Sequence, residues 1–443
     1  MKLLNRFLHI ITLLLTMNLP ILWQALSLNR AWKLLLCLVI ITLFLAGEIL
    51  PCLEKGMKAR IQILAGGYEL IISSVWSLAI EMTYYLLLLR RTPDNSFTSL
   101  IINGICAYLI LLLHYLNGFW RTAFCSAQLG ITLRILMFFF WWVPPINLIL
   151  FLKWCRIVRR ELLTAKNKYL LEITRRENAI CRTKYPVVMV HGIFFRDWQY
   201  LNYWGRIPAV LKKNGAIVYY GRQESSRSVA DSAQELKAEI QRILLETGAE
   251  KVNIIAHSKG GLDTRYAISV LGLAPCVASL TTINTPHRGC RFADVLLQRL
   301  PPWLVNFVAG RYNRIFKALG DKEPDFLGGI HDLTASSCAR FNETVKDAPD
   351  VYYQSAMSRL ASFTSTGFPL NLSYLLVKKY DGENDGLVGV DSAPWGNYLG
   401  LISSGKKGIS HGDMIDLTHK DIRQFDVGEF YVNIFSNLRE KGF

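Results

Sequence analysis

Long apolar segments dominate the first third of the chain, whereas the remainder alternates short apolar and amphipathic stretches. The apolar segments are, roughly, residues 7–26, 34–53, 61–89, 100–116 and 131–152. Each approaches the length of about 20 residues that a helix needs to cross the hydrocarbon core of a bilayer. A signal peptide would account for the first segment but not for the other four. The pattern therefore predicts a helical transmembrane region of four or five spans in residues 1–153.

Two of these segments contain residues that are unusual in lipid. The fifth includes Trp141-Trp142-Val143-Pro144-Pro145, and we expect a kink or a break there because proline removes a helical hydrogen bond and clashes with the preceding turn. The third carries Glu69 and Glu81. Charges are costly inside a bilayer, so these two residues mark either an intramembrane site or contacts with a neighbouring helix.

The charge balance favours a membrane protein over a nucleic-acid-binding one. The chain has 50 Lys and Arg against 34 Asp and Glu, a formal net charge of +16, and 51% hydrophobic residues. Basic residues are dense after the last apolar segment, at Lys153, Arg156, Arg159, Arg160, Lys166 and Lys168. Because basic flanks favour the cytoplasmic side, we expect the C-terminal part to begin in the cytoplasm. The predicted partner is a lipid bilayer and not a nucleic acid, and the oligomeric state stays open.

The C-terminal part has the pattern of a globular α/β domain. Residues 154–184 are basic and contain neither glycine nor proline, which predicts a linker helix. In residues 185–443, strands are predicted at 185–190, 216–220, 252–256, 278–283 and 374–377, and helices at 204–214, at about 233–244 and after residue 260. Alternating strands and helices predict a mostly parallel sheet with helices on both faces.

One serine lies at a junction between a predicted strand and a predicted helix. The stretch from Val252 to Gly261 begins as an apolar run and changes to small residues around Ser258. This is the pattern of a nucleophile elbow, G-x-S-x-G, with Ala256 in the first glycine position. Small residues are needed because the turn is strained and its neighbours pack closely. The pentapeptide alone also fits a buried capping serine, so the surrounding chain must decide between the two.

Acyl transfer through serine needs a base and a carboxylate that orients it, here in the chain order Ser, Asp, His. Asp385 lies in a glycine-containing turn and is the candidate acid, and His411 follows a glycine-containing loop near the C-terminus and is the candidate base. Asp381 and Glu383 compete for the first role, and His419 for the second. His257, beside the serine, is expected to pack against the elbow.

The chemistry also needs donors for the oxyanion of the tetrahedral intermediate. Backbone amides supply them in this kind of site. The candidates are the amide of Lys259, which follows the nucleophile, and that of Ile193, which follows the His191-Gly192 turn. Their side chains are not required for this role.

Several stretches of residues 185–436 occur in the same order in one known family. They are 185–192, 252–261 with Arg265 and Tyr266, 278–289, 331–334 with Phe341 and Asn342, 384–388, and His411 with Asp413. On these motifs the chain resembles the pseudomonad-type bacterial true lipases, which are triacylglycerol lipases of the α/β-hydrolase superfamily. The resemblance implies Ser258 as nucleophile, Asp385 as acid, His411 as base, and Ile193 and Lys259 as oxyanion donors.

The resemblance has further implications and some departures. The family holds a structural calcium through two aspartates, and Asp413 fits one of these places, although no match is found for the other. The alternative role of Asp413 is to cap a helix. No cofactor is expected for the chemistry itself. An apolar lid is expected at about residues 300–320, unless 300–310 is an ordinary packed helix. The family is usually secreted, whereas here a membrane region precedes the hydrolase domain.

The sequence therefore predicts a membrane-anchored serine hydrolase that cleaves carboxylic esters of acyl lipids. We expect it in a bacterial inner membrane, with the catalytic domain in the cytoplasm. A lipid acyltransferase or a phospholipase would use the same triad. A non-catalytic membrane protein with a hydrolase-like binding module is a further alternative.

Overall fold

The computed structural model describes residues 2–50, 56–89, 97–175, 178–193, 203–224, 226–318 and 320–443, and for residues 2–5 only the backbone. The chain divides into two compact units, Met1–Leu171 and Glu172–Phe443. We call them the helical unit and the α/β unit. Residues 51–53 of the second apolar segment lie outside the described residues.

The described part of the helical unit consists of helices joined by short connections. They are α1 Lys2–Met17, α2 Leu19–Ala25, α3 Arg30–Ile49, α4 Ala59–Leu89, α5 Phe97–Cys125, α6 Ile131–Phe139 and α7 Pro144–Arg175, the last of which ends in the α/β unit.

Membrane-spanning length and apolarity occur together in only some of these helices. Among the described residues, Arg30–Ile49, Ala59–Leu88 and Thr98–Cys125 are each long and apolar enough to cross a bilayer. Residues of α1 and α2 together would form a fourth span, bent by 70°. The described helices therefore provide three candidate spans, or four when the bent pair α1–α2 is counted as one span. Four is the lower of the two predicted numbers.

The fifth apolar segment is divided between two helices. α6 ends at Phe139 and α7 begins at Pro144, which confirms the predicted interruption. Proline is tolerated in the first turn of a helix because its missing N–H would have no intrahelical partner there. α7 then continues to Arg175 without a break. Residues 154–175 of the predicted linker helix, which was expected to span 154–184, are therefore the C-terminal portion of α7, and residues 178–184 are not helical.

Both glutamates of the third apolar segment have partners near the start of the chain, in α1 and in the junction between α1 and α2. Arg6 donates from Nε and Nη2 to the two carboxylate oxygens of Glu69, at 2.7 and 2.9 Å. Asn18 Nδ2 donates to Glu81 Oε2 at 2.9 Å. Paired polar groups between helices lower the cost of burying a charge in an apolar environment. These contacts favour the interpretation in which Glu69 and Glu81 join neighbouring helices.

The α/β unit is built on a sheet of six described strands, all parallel, in the order β2-β1-β3-β4-β5-β6. The strands are β1 Val187–Val190, β2 Val218–Tyr220, β3 Val252–His257, β4 Val277–Ile283, β5 Tyr352–Ser358 and β6 Asn397–Ile402. The helices are α8 Ile207–Lys213, α9 Val229–Thr247, α10 Gly260–Ser269, α11 Arg291–Arg299, α12 Pro302–Ala318, α13 Phe326–Asp332, α14 Ala335–Thr344, α15 Leu370–Asp381 and α16 Val427–Glu440.

Helices cover both faces of this sheet, as the alternation of elements predicts. Successive side chains of a strand point to opposite faces. Val187 and Met189 of β1 accordingly pack in one buried cluster with α8 and α16, whereas Val188 and Val190 pack in another with α9 and α10. β1 and β3 are buried along their whole length, which explains why they are nearly continuous apolar runs and not alternating ones.

One predicted strand is wrong. Residues 374–377 lie in the helix α15, in which Tyr374 and Val377, three residues apart, are buried on one face. A short apolar run fits a buried strand or a helix segment equally well by periodicity alone. The helix is adopted here because only a 3.6-residue repeat turns these two side chains to the same side.

Helix α9 offers a test of the packing on one face of the sheet. Ile240 is completely buried in the cluster with β1 and β3, whereas Leu245 on the same helix is 87% exposed. We expect Ile240→Ala to destabilise the α/β unit by about 2–5 kcal/mol through lost burial and a residual cavity. Leu245→Ala, the matched control, should change stability by less than about 0.5 kcal/mol. Equal shifts of the thermal unfolding midpoint in detergent would contradict this assignment of the core.

Candidate active site

The turn that carries Ser258 joins the buried strand β3 to the helix α10. Ser258 adopts a φ of +56°, a left-handed conformation that costs energy in a residue other than glycine. Its amide donates to the carbonyl of Ile283 on the adjacent strand at 2.9 Å, and Thr285 Oγ1 donates to its carbonyl at 2.8 Å. These bonds hold the serine at the carboxyl end of the sheet in the strained geometry of a nucleophile elbow.

The turn has no room for side chains at its neighbouring glycines. A Cβ atom added to Gly192 would lie 2.7 Å from Ser258 Cβ, and one added to Gly260 would lie 2.4 Å from the carbonyl oxygen of His191. The loop after β1 therefore packs directly against the elbow, backbone to backbone. This contact explains the small residues of both motifs.

The same contact brings the two segments of the predicted oxyanion donors together. Ile193 follows Gly192, and Lys259 follows Ser258. Within the part of the chain that the structure describes, neither the Ile193 amide nor the Lys259 amide donates a hydrogen bond to a protein group. Unpaired buried amides are rare, and at a candidate acyl-transfer site they are the expected donors to an oxyanion.

The carboxylate of Asp385 is completely buried and receives four hydrogen bonds. Its Oδ1 accepts from the amides of Leu387 and Val388 at 2.9 and 2.8 Å. Its Oδ2 accepts from Asn284 Nδ2 at 2.7 Å and lies 2.6 Å from His411 Nδ1. Such a network fixes the position of the carboxylate and, through Nδ1, the orientation of the imidazole.

The competing acidic residues have other partners. Asp381 accepts hydrogen bonds from the amides of Arg291 and Phe292 at 2.8 and 3.0 Å and so caps the first turn of α11. Glu383 pairs with Arg359 at the surface, at 2.6 Å. Of the three candidates, only Asp385 contacts His411 among the described residues.

The imidazole of His411 lies between Asp385 and the elbow. The amide of His411 donates to the carbonyl of Asp385 at 2.9 Å, so backbone and side chain are both tied to the acid loop. On the other side, the ring centroid of His411 is 4.4 Å from that of His257, the residue before Ser258. The competitor His419 lies in an exposed turn beyond this region.

His257 is buried and has a packing role. Its Nδ1 is hydrogen-bonded to the hydroxyl of Tyr203 at 2.7 Å, and that hydroxyl also accepts from the amide of Gly192 at 3.0 Å. Burial, and then the proximity of His411, hold the pKa of His257 well below its usual range. A neutral imidazole at this place links the elbow to the loop after β1 and does not compete with His411 for a proton.

Asn284 is a site residue that the sequence did not single out. It follows β4 directly, and its side chain joins Asp385 Oδ2 to Ser358, with Nδ2 at 2.7 Å from Ser358 Oγ and Oδ1 accepting from the Ser358 amide at 3.0 Å. A polar residue at the carboxyl end of a parallel strand is the signal that could have identified it.

The side chain of Lys259 is also unexpected, because it is buried and charged. Its Nζ donates to Asp263 Oδ1 at 2.7 Å and to Ser232 Oγ at 2.9 Å. Through these two bonds, the Lys259 side chain joins the turn after Ser258 to both α10 and α9. Burial raises the pKa of Asp263 to about 7, and the charge of Lys259 opposes this shift.

Asp413, the candidate calcium ligand, has protein partners among the described residues. Calcium takes six to eight oxygen ligands, commonly several carboxylates. Asp413 Oδ2 instead accepts hydrogen bonds from the amide and hydroxyl of Ser410 at 2.9 and 2.7 Å. No group of three or more His, Cys, Asp and Glu residues that could hold a metal ion occurs in the described ranges. Asp413 stabilises the turn that follows Ser410 and precedes a short 3₁₀ helix.

The segment expected to form a lid is the helix α12. Its Trp303 and Phe307 side chains are exposed, while Tyr312 stacks on Phe326 of α13 with ring centroids 4.6 Å apart. α13 in turn contacts the oxyanion loop, since a Cβ added to Gly329 would lie 3.2 Å from Ile193 Cδ1. α12, which carries the exposed aromatic side chains, is therefore linked through α13 to Ile193, the residue of the candidate oxyanion donor.

The buried pair beside the nucleophile predicts a pH-dependent effect of substitution. Lys259→Met leaves Asp263 buried without its cation, which should cost about 3–5 kcal/mol of stability. An unpaired buried carboxyl has a folded-state pKa above its unfolded value, so its contribution to stability is favourable at low pH and is lost as the pH rises. The destabilisation should therefore be larger at about pH 8 than at about pH 5.

The double variant Lys259→Met with Asp263→Leu removes both charges and provides the control. It should recover most of the lost stability, because apolar replacement of a buried pair is often neutral. Thermal unfolding in detergent at both pH values measures these effects. A single variant as stable as the wild type, or a double variant no more stable than the single one, would contradict the buried pair.

Comparison with known proteins identifies relatives of the α/β unit. Residues 183–363 match the family described as Putative serine esterase (DUF676). The chain is 36% identical over 179 residues to a triacylglycerol lipase of Pseudarthrobacter phenanthrenivorans, a match that covers 38% of this chain and 55% of the relative. It is 27% identical over 293 residues to a triacylglycerol lipase of Pseudomonas fragi, covering 59% of this chain and 98% of the relative.

Among solved structures, the mature lipase BlEst2 of Bacillus licheniformis is similar with a TM-score of 0.43 and 22% sequence identity, over 58% of this chain and 92% of that one. With the Pseudarthrobacter enzyme, and with triacylglycerol lipases of two other bacteria, the chain matches only about half of the relative's length. The α/β unit is related in sequence to lipases and esterases.

Proposed function

We propose that this protein is a membrane-anchored serine hydrolase that cleaves carboxylic esters of acyl lipids. The observation that carries the proposal is the buried Asp385–His411 pair, 2.6 Å apart, beside an elbow whose Ser258 has a φ of +56°. The amides of Ile193 and Lys259 at the same place, which have no protein acceptor among the described residues, would supply the remaining part of an acyl-transfer site. The sequence relationship of this unit to triacylglycerol lipases supports the same reaction class.

In this mechanism His411 acts as a base and then as an acid. Its Nε2 takes the proton of Ser258 as the hydroxyl oxygen attacks the acyl carbonyl, and the protonated imidazole then gives that proton to the leaving alkoxide. Asp385 keeps the proton on Nδ1 and stabilises the imidazolium. The amides of Ile193 and Lys259 donate to the oxyanion. A water molecule, deprotonated by His411, attacks the acyl-enzyme and releases the carboxylic acid and the free serine.

The substrate class follows from the apolar surroundings. α12 presents Trp303 and Phe307 to solvent and carries Arg311, Arg314 and Lys317, a combination that suits contact between a lid and an anionic lipid surface. Three apolar helices, or four with the bent pair, would anchor the chain in the bilayer that contains such esters. We place the catalytic unit on the cytoplasmic side, on the basis of the basic residues from Lys153 to Lys168.

Ser258→Ala tests the nucleophile. Detergent-purified wild-type protein should hydrolyse p-nitrophenyl esters and react with a fluorophosphonate probe, and the variant should do neither, because no other group of the proposed site forms the acyl-enzyme. Ser279→Ala is the matched control, since it also removes a buried hydroxyl but at the amino end of β4. Full turnover by the Ser258 variant would exclude this mechanism, and absence of both activities in the wild type would favour a binding module.

Asp385→Asn tests the acid with little change in shape. An amide stabilises the wrong imidazole tautomer and cannot balance the imidazolium, so kcat should fall by about 10⁴-fold, the loss seen in the serine-protease template. Asp381→Asn, a nearby carboxylate that only caps α11, should lower stability by about 1 kcal/mol and leave kcat within about twofold. The proposal would be wrong if the two substitutions reduced kcat equally.

A further inference from the structure

The helix α15 has two apolar faces, of which one is exposed. Tyr374 and Val377 are buried against the unit. On the other side, Leu372 and Leu375 are 61% and 49% exposed, and Phe368, just before the helix, is 81% exposed. Leu372 and Leu375 are three positions apart, which places them on one side of the helix, and Phe368 adds a third exposed apolar side chain immediately before it. We call them the α15 stripe.

The stripe lies beside the loops that carry the acid and the base. Leu370, in the first turn of α15, contacts both loops: a Cβ added to Gly386 would lie 3.4 Å from Leu370 Cβ, and one added to Gly412 would lie 3.9 Å from Leu370 Cδ1. Leu417, which is 38% exposed, lies next to Gly412. The exposed apolar residues therefore adjoin the Asp385–His411 side of the site, away from the α12–α13 contact with Ile193.

The charge next to the stripe is positive. Lys378 and Lys379 are exposed in the last turn of α15, and Lys379 follows Leu375 by four residues on the same side. The one acidic residue of the helix, Asp381, accepts hydrogen bonds from the first turn of α11. An exposed apolar stripe that ends in lysines is complementary to an anionic lipid surface, in which acyl chains meet apolar side chains and headgroups meet ammonium groups.

We propose that α15 is an interfacial docking element, with the α15 stripe inserted into an anionic lipid surface and Lys378 and Lys379 at its headgroups. This inference rests on the proposed ester hydrolysis and deepens it: the ester is taken from a lipid surface that the acid–base side of the site faces. Isolated exposed residues such as Leu245 have no such meaning. The stripe differs from them because Leu372 and Leu375 share one helix face, with Phe368 just before the helix, next to the reacting groups.

Turnover from a bilayer tests the docking. The full chain is reconstituted in vesicles of phosphatidylcholine with phosphatidylglycerol, and hydrolysis of a long-chain ester held in the bilayer is compared with that of a soluble short-chain ester. We expect Leu372→Glu with Leu375→Glu to lower the ratio of the two rates by about tenfold or more, since charged side chains cannot enter the apolar layer. Leu245→Glu, the matched exposed leucine, should leave the ratio unchanged. Equal effects of the two substitutions would overturn the proposal.

A separate measurement tests the proposed contact of Lys378 and Lys379 with lipid headgroups. Removing phosphatidylglycerol from the vesicles should lower the rate on the bilayer ester, and Lys378→Glu with Lys379→Glu should abolish this dependence. A variant that keeps the full dependence on the anionic lipid would overturn the assignment of these lysines.

Photo-crosslinking identifies the occupant without requiring catalysis. p-Benzoylphenylalanine is introduced in place of Leu372, or of Leu245 as control, in the Ser258→Ala protein reconstituted in the same vesicles. Adducts with lipid at position 372, above those at position 245, are expected. Adducts with a second copy, or with another part of the same chain, would overturn the proposal. Lipid adducts together with a wild type that hydrolyses no ester would show that the proposed hydrolysis, and not the docking, has failed.

Discussion

The close approach of two backbone segments at the elbow is the constraint on which the rest of the site depends. The loop after β1 and the turn after β3 touch so closely that neither Gly192 nor Gly260 can accommodate a Cβ atom without displacing its neighbour. This contact sets the left-handed conformation of Ser258 beside two amides that lack acceptors within the described part of the chain. Tyr203 and His257 strengthen it by hydrogen-bonding across the two segments. A displacement of either segment would separate the proposed nucleophile from the proposed oxyanion donors.

The proposed acid and base are attached to this elbow from the other half of the sheet. Asn284, after β4, holds Asp385 and the end of β5 together, and Asp385 holds His411 through both its carboxylate and its carbonyl. The elbow itself is braced from behind by the buried Lys259–Asp263 pair. Because burying a charged pair brings little net stability, a pair next to the nucleophile is better understood as fixing geometry than as strengthening the fold.

The sequence predicted those features that depend on residues close together along the chain. The elbow is a strand, a turn and a helix within seventeen residues or so, and its small residues are visible in order. Asp385 and His411 were candidates because each lies in a recognisable turn. The roles of Asn284, Tyr203 and the Lys259 side chain depend on contacts between distant segments, so no local pattern could reveal them. α15 was missed for another reason: a short apolar run does not distinguish a strand from a helix.

The cap formed by Asp381 joins two surface helices, α11 and α15. This carboxylate fixes the first turn of α11 to the end of α15, and only Leu300 and Pro301 separate the end of α11 from Pro302, where α12 begins. A swinging motion of α12 would therefore turn about these two residues and would break the stacking of Tyr312 on Phe326, while α11 and α15 stayed in place. Movement of α12 as the proposed lid would therefore leave the contact between α11 and α15 intact.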